Sequence, residues 1–205
     1  MTPGRVVVLN GASSSGKTSI AEAFCSQRAA VGELWLLIGI DDFISKLPEE
    51  FVDVPGFHGT RGAEGMTFVP TAEGIEIRVG PVGAHVFNLY RHTVALWASM
   101  GSNVVVDEVI LSEDNLRDWN AALDGTDVTW VGVRCDPDAN DARELARGDR
   151  HVGLARNQRG TVHTHCTYTI ELDTTDTPPE TLAAELVRRL AVTAEQRVRR
   201  QGQSQ

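Results

Sequence analysis

The chain has 205 residues, the length of one ordinary domain, and can bury a core without disulfide or metal staples. Apolar residues make up 41% and charged residues 23%, which excludes collagen-like and disordered classes. The formal charge of −9 argues against nucleic acid as a partner, and no stretch approaches the length of a membrane span.

Only two of the 19 basic residues are lysines, Lys17 and Lys46. Residues 134–159 depart from the acidic trend and carry arginines, which suit phosphate recognition. The three cysteines, Cys25, Cys135 and Cys166, show neither metal-ligand spacing nor a disulfide framework. The first ten residues carry too short an apolar run for a signal peptide. A reducing cytoplasm is the expected compartment.

Residues 6–10 (VVVLN) read as a buried strand and 17–28 as a helix. Residues 34–40 (LWLLIGI) read as a second strand. Residues 48–65, rich in Gly, Pro and charge, read as a mobile loop, and 66–79 as a small hairpin. A helix follows over 82–100, then a third strand over 103–109 (NVVVDEV). Ser112 is a plausible cap for a helix over 113–123. Residues 128–133 (VTWVGV) and 168–172 (YTIEL) are the fourth and fifth strands, with a polar, partly helical segment between them. A last helix starts at Pro178. Apolar strands alternating with helices predict a parallel α/β sheet with both faces covered and ligands beyond the strand ends. We expect one domain over 1–205, a substrate-side loop and hairpin at 48–82, a lid at 136–160 and a frayed tail at 201–205.

The first strand runs into GASSSGKT, residues 11–18, a full G-x-x-x-x-G-K-[ST] match. Chance matches in a chain of this composition number on the order of 0.002. Glycines let such a loop turn its backbone N–H groups toward phosphate, and the following helix adds its positive end. Gly11, Ala12, Ser13, Ser14, Ser15, Gly16, Lys17, Thr18 and Ser19 are therefore expected to bind ATP. Lys17 reaches the β- and γ-phosphates, and Thr18 is a Mg²⁺ ligand. Asp107, directly after the apolar run of the third strand, is the second expected Mg²⁺ residue, and Glu108 points to the opposite side.

Asp41 and Asp42 follow the second strand. One of them suits a general base for an attacking hydroxyl, and the other a helix N-cap. Arg143, Arg147 and Arg150 recur at helical spacing and share one face. Three cations on one face call for an anion, so the segment reads as a lid over the triphosphate, with Arg143 binding nucleotide and Arg147 and Arg150 stabilising transferred charge. His151, His163 and His165 lack a third-ligand pattern and read as structural or surface residues. Residues 172–179 (LDTTDTPP) read either as a lining for the adenine or as a polar turn.

These motifs resemble one family. VLNGASSSGKTSI, IGIDDFISKLP, VVVDEVIL, WVGVRCD, RELARGDR with the V-G-x-A-x-x-Q run, and Y-x-I-E-L-D-T-T are similar to the chloramphenicol phosphotransferase family over about residues 5–190. These are P-loop kinases that phosphorylate an antibiotic hydroxyl. The resemblance implies a five-stranded parallel sheet of order 2-3-1-4-5, Asp41 as the base, Asp107 as the third-strand aspartate, and Arg147 and Arg150 as lid arginines. Between residues 48 and 83 the match is poor. There Phe51, Phe57, His58 and Phe68 either shape an acceptor pocket or pack the loop down.

The expected activity is ATP- and Mg²⁺-dependent phosphorylation of a small-molecule hydroxyl, chloramphenicol or a related antibiotic first. Kinases of another metabolite are the alternative. A slow P-loop switch is disfavoured by Asp41 and by the lack of an N-K-x-D motif, and a nucleic-acid end kinase by the acidic charge. Oligomeric state is not legible.

Overall fold

The computed structural model describes residues 2–147 and 152–202. In chain order its elements are β1 (Arg5–Asn10), α1 (Lys17–Ala29), β2 (Trp35–Gly39), α2 (Ile40–Ile44), β3 (Val52–Val54), β4 (Phe57–His58), β5 (Met66–Thr71), β6 (Gly74–Val79), α3 (Pro81–Ser99), β7 (Asn103–Glu108), α4 (Glu113–Ala122), β8 (Asp127–Arg134), α5 (Pro137–Arg147), α6 (Leu154–Arg159), β9 (Ile170–Asp173) and α7 (Pro179–Gly202).

The main sheet has five strands in the order β2-β7-β1-β8-β9. All its pairings are parallel. Counted alone, these strands give the order 2-3-1-4-5. Burial on both faces explains the unbroken apolar runs. Val7, Leu9, Val105 and Val131 pack against Ile20 and Phe24 of α1 and Leu182 and Leu186 of α7. Their neighbours in the strands, Val6, Val8, Val104 and Val106, face Tyr90, Val94 and Ala98 of α3 and Trp119 of α4. The two-residue period of a strand thus serves two separate cores. Ser112 caps α4 by accepting from Asn115 N at 3.1 Å, as the sequence suggests.

Three expectations need correction. The second strand stops at Gly39, and Ile40 opens α2. The carboxylate of Asp42 accepts the Gly39 N–H at 2.8 Å, which fixes the helix start there. The stretch 48–65 is not a bare loop. It contributes β3 and β4 to a second sheet of order β4-β3-β5-β6, alongside the expected hairpin. Three of its four glycines, Gly59, Gly62 and Gly65, mark close packing rather than freedom. A Cβ on Gly65 would lie 2.0 Å from Phe51 O, and one on Gly59 2.4 Å from Val52 O. The C-terminal segment is helical through Gly202, whereas 203–205 lie outside the described residues. Among the described residues, no helix is long and apolar enough to cross a membrane.

The second sheet packs against the segment after α5. Ile75 N donates to Gly153 O at 3.2 Å. Gly74, at φ +132°, leaves no room there: a Cβ would sit 2.0 Å from Gly153 O. Gly74→Ala is therefore expected to cost about 1–3 kcal/mol by overpacking and backbone strain. Urea unfolding measures it, and a loss below about 0.5 kcal/mol, the range of an ordinary surface substitution, would contradict this packing.

Candidate active site

The loop between β1 and α1 is built to point polar groups inward. Ser14 takes a left-handed φ of 57°, and Gly16, the N-cap of α1, one of 92°. Gly11 is required because a Cβ would lie 2.4 Å from Val133 O. The hydroxyls of Ser13, Ser14 and Ser15 are buried and have no partner among the described residues. A cradle of buried, unfulfilled donors fits a polyphosphate.

The loop does not hold this shape alone. Gln158 Oε1, from α6, accepts Ser13 N–H at 2.7 Å. Asn140 Nδ2, from α5, donates to Ser13 O at 2.9 Å. Thr174 Oγ1, just after β9, donates to Ser15 O at 2.8 Å. Arg143 locks Thr174 in turn, donating to its hydroxyl at 3.0 Å and its carbonyl at 2.6 Å. Sequence reading overlooked Asn140, Gln158 and Thr174 as braces. Gln158 was visible as the last residue of the V-G-x-A-x-x-Q run, and Thr174 within LDTTDTPP.

Lys17 is buried, and its ammonium donates to Gly11 O at 2.9 Å and Ala12 O at 2.8 Å. It lies 3.5 Å from Asp107 Oδ1. Thr18 Oγ1 donates to the other oxygen of Asp107 at 2.5 Å. Parallel pairing sets this cluster, because Asp107 stands in register with Leu9 on one side and Gly39 on the other. A hydroxyl, a carboxylate and nearby phosphate form the hard-oxygen set that suits Mg²⁺. Glu108 turns the other way, as expected. It accepts from Val109 N at 2.7 Å and Trp119 Nε1 at 2.9 Å. Burial lifts its carboxyl to about 7.

Two cavities meet above the sheet. The first, about 860 Å³, is lined by Ser13, Ser14, Gly16, Lys17, Thr18 and Ser19 together with Asp107, Arg143, Arg147, Thr174, Thr177 and Pro179. The second, about 750 Å³, is walled by Met66, Phe68 and Ile77 of the second sheet and by Phe87, Arg91 and Glu108. Ser13, Ile40, Asp41 and Val109 line both. Asp41 therefore stands where the cavities join, while Asp42 is committed to Gly39 N.

Of the arginines expected together, Arg143 and Arg147 line the larger cavity, and Arg150 lies outside the described residues, as does His151. Glu144 lies on the same helix. It is buried and accepts from Gly153 N at 2.7 Å and Ala155 N at 2.8 Å, joining α5 to α6. Of the candidate acceptor residues, only Phe68 lines the smaller cavity. Phe51 packs under Arg61, His58 pairs with Asp53, and Phe57 is exposed on edge strand β4. Among the described residues no cluster of three His, Cys, Asp or Glu could hold a metal. His163 instead bonds Tyr168 Oη at 2.8 Å, and burial lowers its pKa to about 4.

A family model described as chloramphenicol phosphotransferase-like protein matches residues 4–191. Two proteins from strains of Mycobacterium tuberculosis, each described as a "putative O-phosphotransferase", are 36% identical over 193 residues, covering 91% of this chain and 82% of theirs. Among solved structures, the APS kinase of Mycobacterium tuberculosis in complex with AMPPNP and APS aligns with a TM-score of 0.64 at 15% identity, covering 93% of this chain and 99% of that one. A gluconokinase from Sinorhizobium meliloti aligns with a TM-score of 0.61 at 20% identity, covering 98% of each chain. At these identities the structural likenesses establish the P-loop kinase fold.

Two stability measurements probe this site. Gln158→Leu leaves Ser13 N–H buried and unpaired, with an expected loss of about 1–3 kcal/mol in urea unfolding; an unchanged midpoint would deny the brace. For His163, the folded pKa lies below the ordinary value, so between roughly pH 6.5 and 4 the unfolded chain holds a proton that the folded chain refuses. Stability contributed by neutral His163 is full above that window and falls as the pH drops through it. His163→Gln should therefore lose less stability between pH 7 and pH 5 than the parent chain does.

Proposed function

The chain belongs to the chloramphenicol phosphotransferase-like family and is a kinase-type phosphotransferase with the P-loop kinase fold, and from that premise we propose that it moves the γ-phosphate of ATP to a hydroxyl of chloramphenicol or a related small antibiotic. The observation that carries this reading is the junction of the two cavities at Asp41. One cavity has the donors for a triphosphate. The other is apolar enough to receive an organic alcohol.

In this reading the P-loop N–H groups and the Lys17 ammonium hold the β- and γ-phosphates. Lys17 exchanges the carbonyls of Gly11 and Ala12 for phosphate oxygens. Thr18 and Asp107 would hold Mg²⁺, which when bound neutralises charge across the β- and γ-phosphates. Asp41 accepts the proton of the acceptor hydroxyl as that oxygen attacks the γ-phosphorus, and the bond to the β-bridging oxygen breaks. Arg147 and Arg150 offset the charge that develops on the transferring group. Arg143 binds nucleotide mainly by fixing Thr174, and through it the P-loop. Residues 136–160 act as the lid, and the second sheet forms the acceptor wall. The work is cytoplasmic, where ATP is available and free thiols stay reduced. A kinase of another small metabolite would use the same machinery with a different wall.

The test is transfer from labelled ATP with Mg²⁺ to chloramphenicol. Asp41→Asn is expected to cut transfer about 10²–10⁴-fold while ATP affinity stays within a few-fold. Asp42→Asn is expected to weaken the start of α2 by about 1 kcal/mol or less yet retain transfer. The reverse pattern would move the base to Asp42. An unmodified chloramphenicol would remove the acceptor and leave the phosphotransferase.

A further inference from the structure

The smaller cavity is lined by both apolar and polar side chains, and one of the polar ones is a buried cation. Arg91, on α3, lines the cavity and is buried, with 4% of its surface exposed. Its partners are both on Nη1: Asn88 Oδ1 at 3.0 Å and Asp118 Oδ2 at 3.3 Å. Its Nε is buried and has no partner among the described residues. A guanidinium is a planar fork, and using one tine for both partners leaves the rest of the fork to whatever fills the space beside it.

Charge narrows what that can be. Arg91 is the one cation lining the cavity among the described residues, whereas Asp41, Glu108 and Asp118 all line it. The charge of Arg91 is already balanced by Asp118. An anionic acceptor would enter a space with three carboxyl groups and no unmatched cation. A neutral oxygen can take the open donors of Arg91 without adding charge. The hydrocarbon part of the same molecule would lie on Met66, Phe68 and Ile77 of the second sheet and on Phe87, one turn from Arg91 on α3, all of which line the same cavity.

We propose that Arg91 is a specificity-determining residue that donates to a neutral oxygen of the acceptor and so discriminates against a carboxylate at that position. This rests on the smaller cavity being the acceptor site. Arg91 takes no part in the chemical step. It sets where the far end of the molecule lies and so which hydroxyl reaches Asp41.

The experiment uses the full chain with Mg²⁺ and ATP and compares chloramphenicol and thiamphenicol, which are neutral and carry such oxygens, with shikimate and gluconate, which are anions. Transfer is expected to the first pair and not to the second. Arg91→Met is expected to raise the acceptor KM at least tenfold while the KM for ATP stays within twofold. Arg91→Lys keeps the charge opposite Asp118 but loses the fork, so it recovers only part of that affinity. It also carries the test if Arg91→Met does not fold. An arginine that only braced α3 against Asp118 would lower Tm and leave the acceptor KM alone, and that result would overturn the proposal. Faster transfer to the hydroxy acids would overturn it as well. Transfer to a neutral alcohol with a KM indifferent to Arg91 sinks this inference alone. Absence of transfer to any alcohol of either charge sinks the acceptor reading and this inference with it.

Discussion

A phosphate-binding loop must keep its own polar groups unsatisfied. Its N–H groups and hydroxyls are useful only while they point into open space, and a backbone in that state gains little from its own hydrogen bonds. Residues 11–18 keep this shape because other parts of the chain hold them from outside. Gln158 and Asn140 grip the two polar ends of the Ser13 unit, and Thr174 takes the Ser15 carbonyl. The three braces come from α6, α5 and the turn after β9, so the segment over the nucleotide side and the far edge of the sheet both depend on the P-loop. Changes in the braces should reach nucleotide binding without touching the nucleotide.

Strand geometry sorts the carboxylates. Asp107 and Glu108 are adjacent, and the two-residue period sends them to opposite sides. One joins Thr18 and Lys17, where a cation and phosphate can be held. The other is buried between Val109 N and the indole of Trp119. Asp41 and Asp42 are sorted in a similar way by α2. Tying Asp42 back to Gly39 N leaves Asp41 as the carboxylate lining both cavities. Among the described residues, the larger cavity thus has Lys17, Arg143 and Arg147, while the smaller one is lined by carboxyl groups and the single cation Arg91.

The second sheet gives the smaller cavity part of its wall. Strands β3 and β4 are two or three residues long and could not stand alone. They persist because β3 pairs with β5 and the glycines around them let backbone approach backbone closely. The sheet meets the α5–α6 connection where Gly74 and Gly153 touch. The second sheet, on the smaller cavity, is therefore in direct contact with the segment that follows α5, whose helix lines the larger one.

Some of this could be read directly from the residues. Strand runs of Val and Leu, the GASSSGKT pattern and the arginine spacing specify contacts within a few residues, and local chemistry decides them. They gave the parallel sheet, the cradle, Asp107 beside Thr18, and Arg143 and Arg147 on one cavity. The choice of Asp41 over Asp42 rests on resemblance in the sequence, and the fold adds that Asp42 accepts the Gly39 N–H while Asp41 lines both cavities. The braces Asn140, Gln158 and Thr174, the buried Glu144, the half-used fork of Arg91 and the second sheet were legible only in the fold. Each joins residues far apart in the chain. Glycine-rich sequence reads alike whether it bends freely or lets two backbones touch, and a buried polar side chain reads like an exposed one until its partner is in place. The sequence by itself determined which chemistry the chain can carry, because that chemistry resides in contiguous motifs. Packing assigned the side chains that line each cavity, because cavity walls are assembled between elements that share no local pattern.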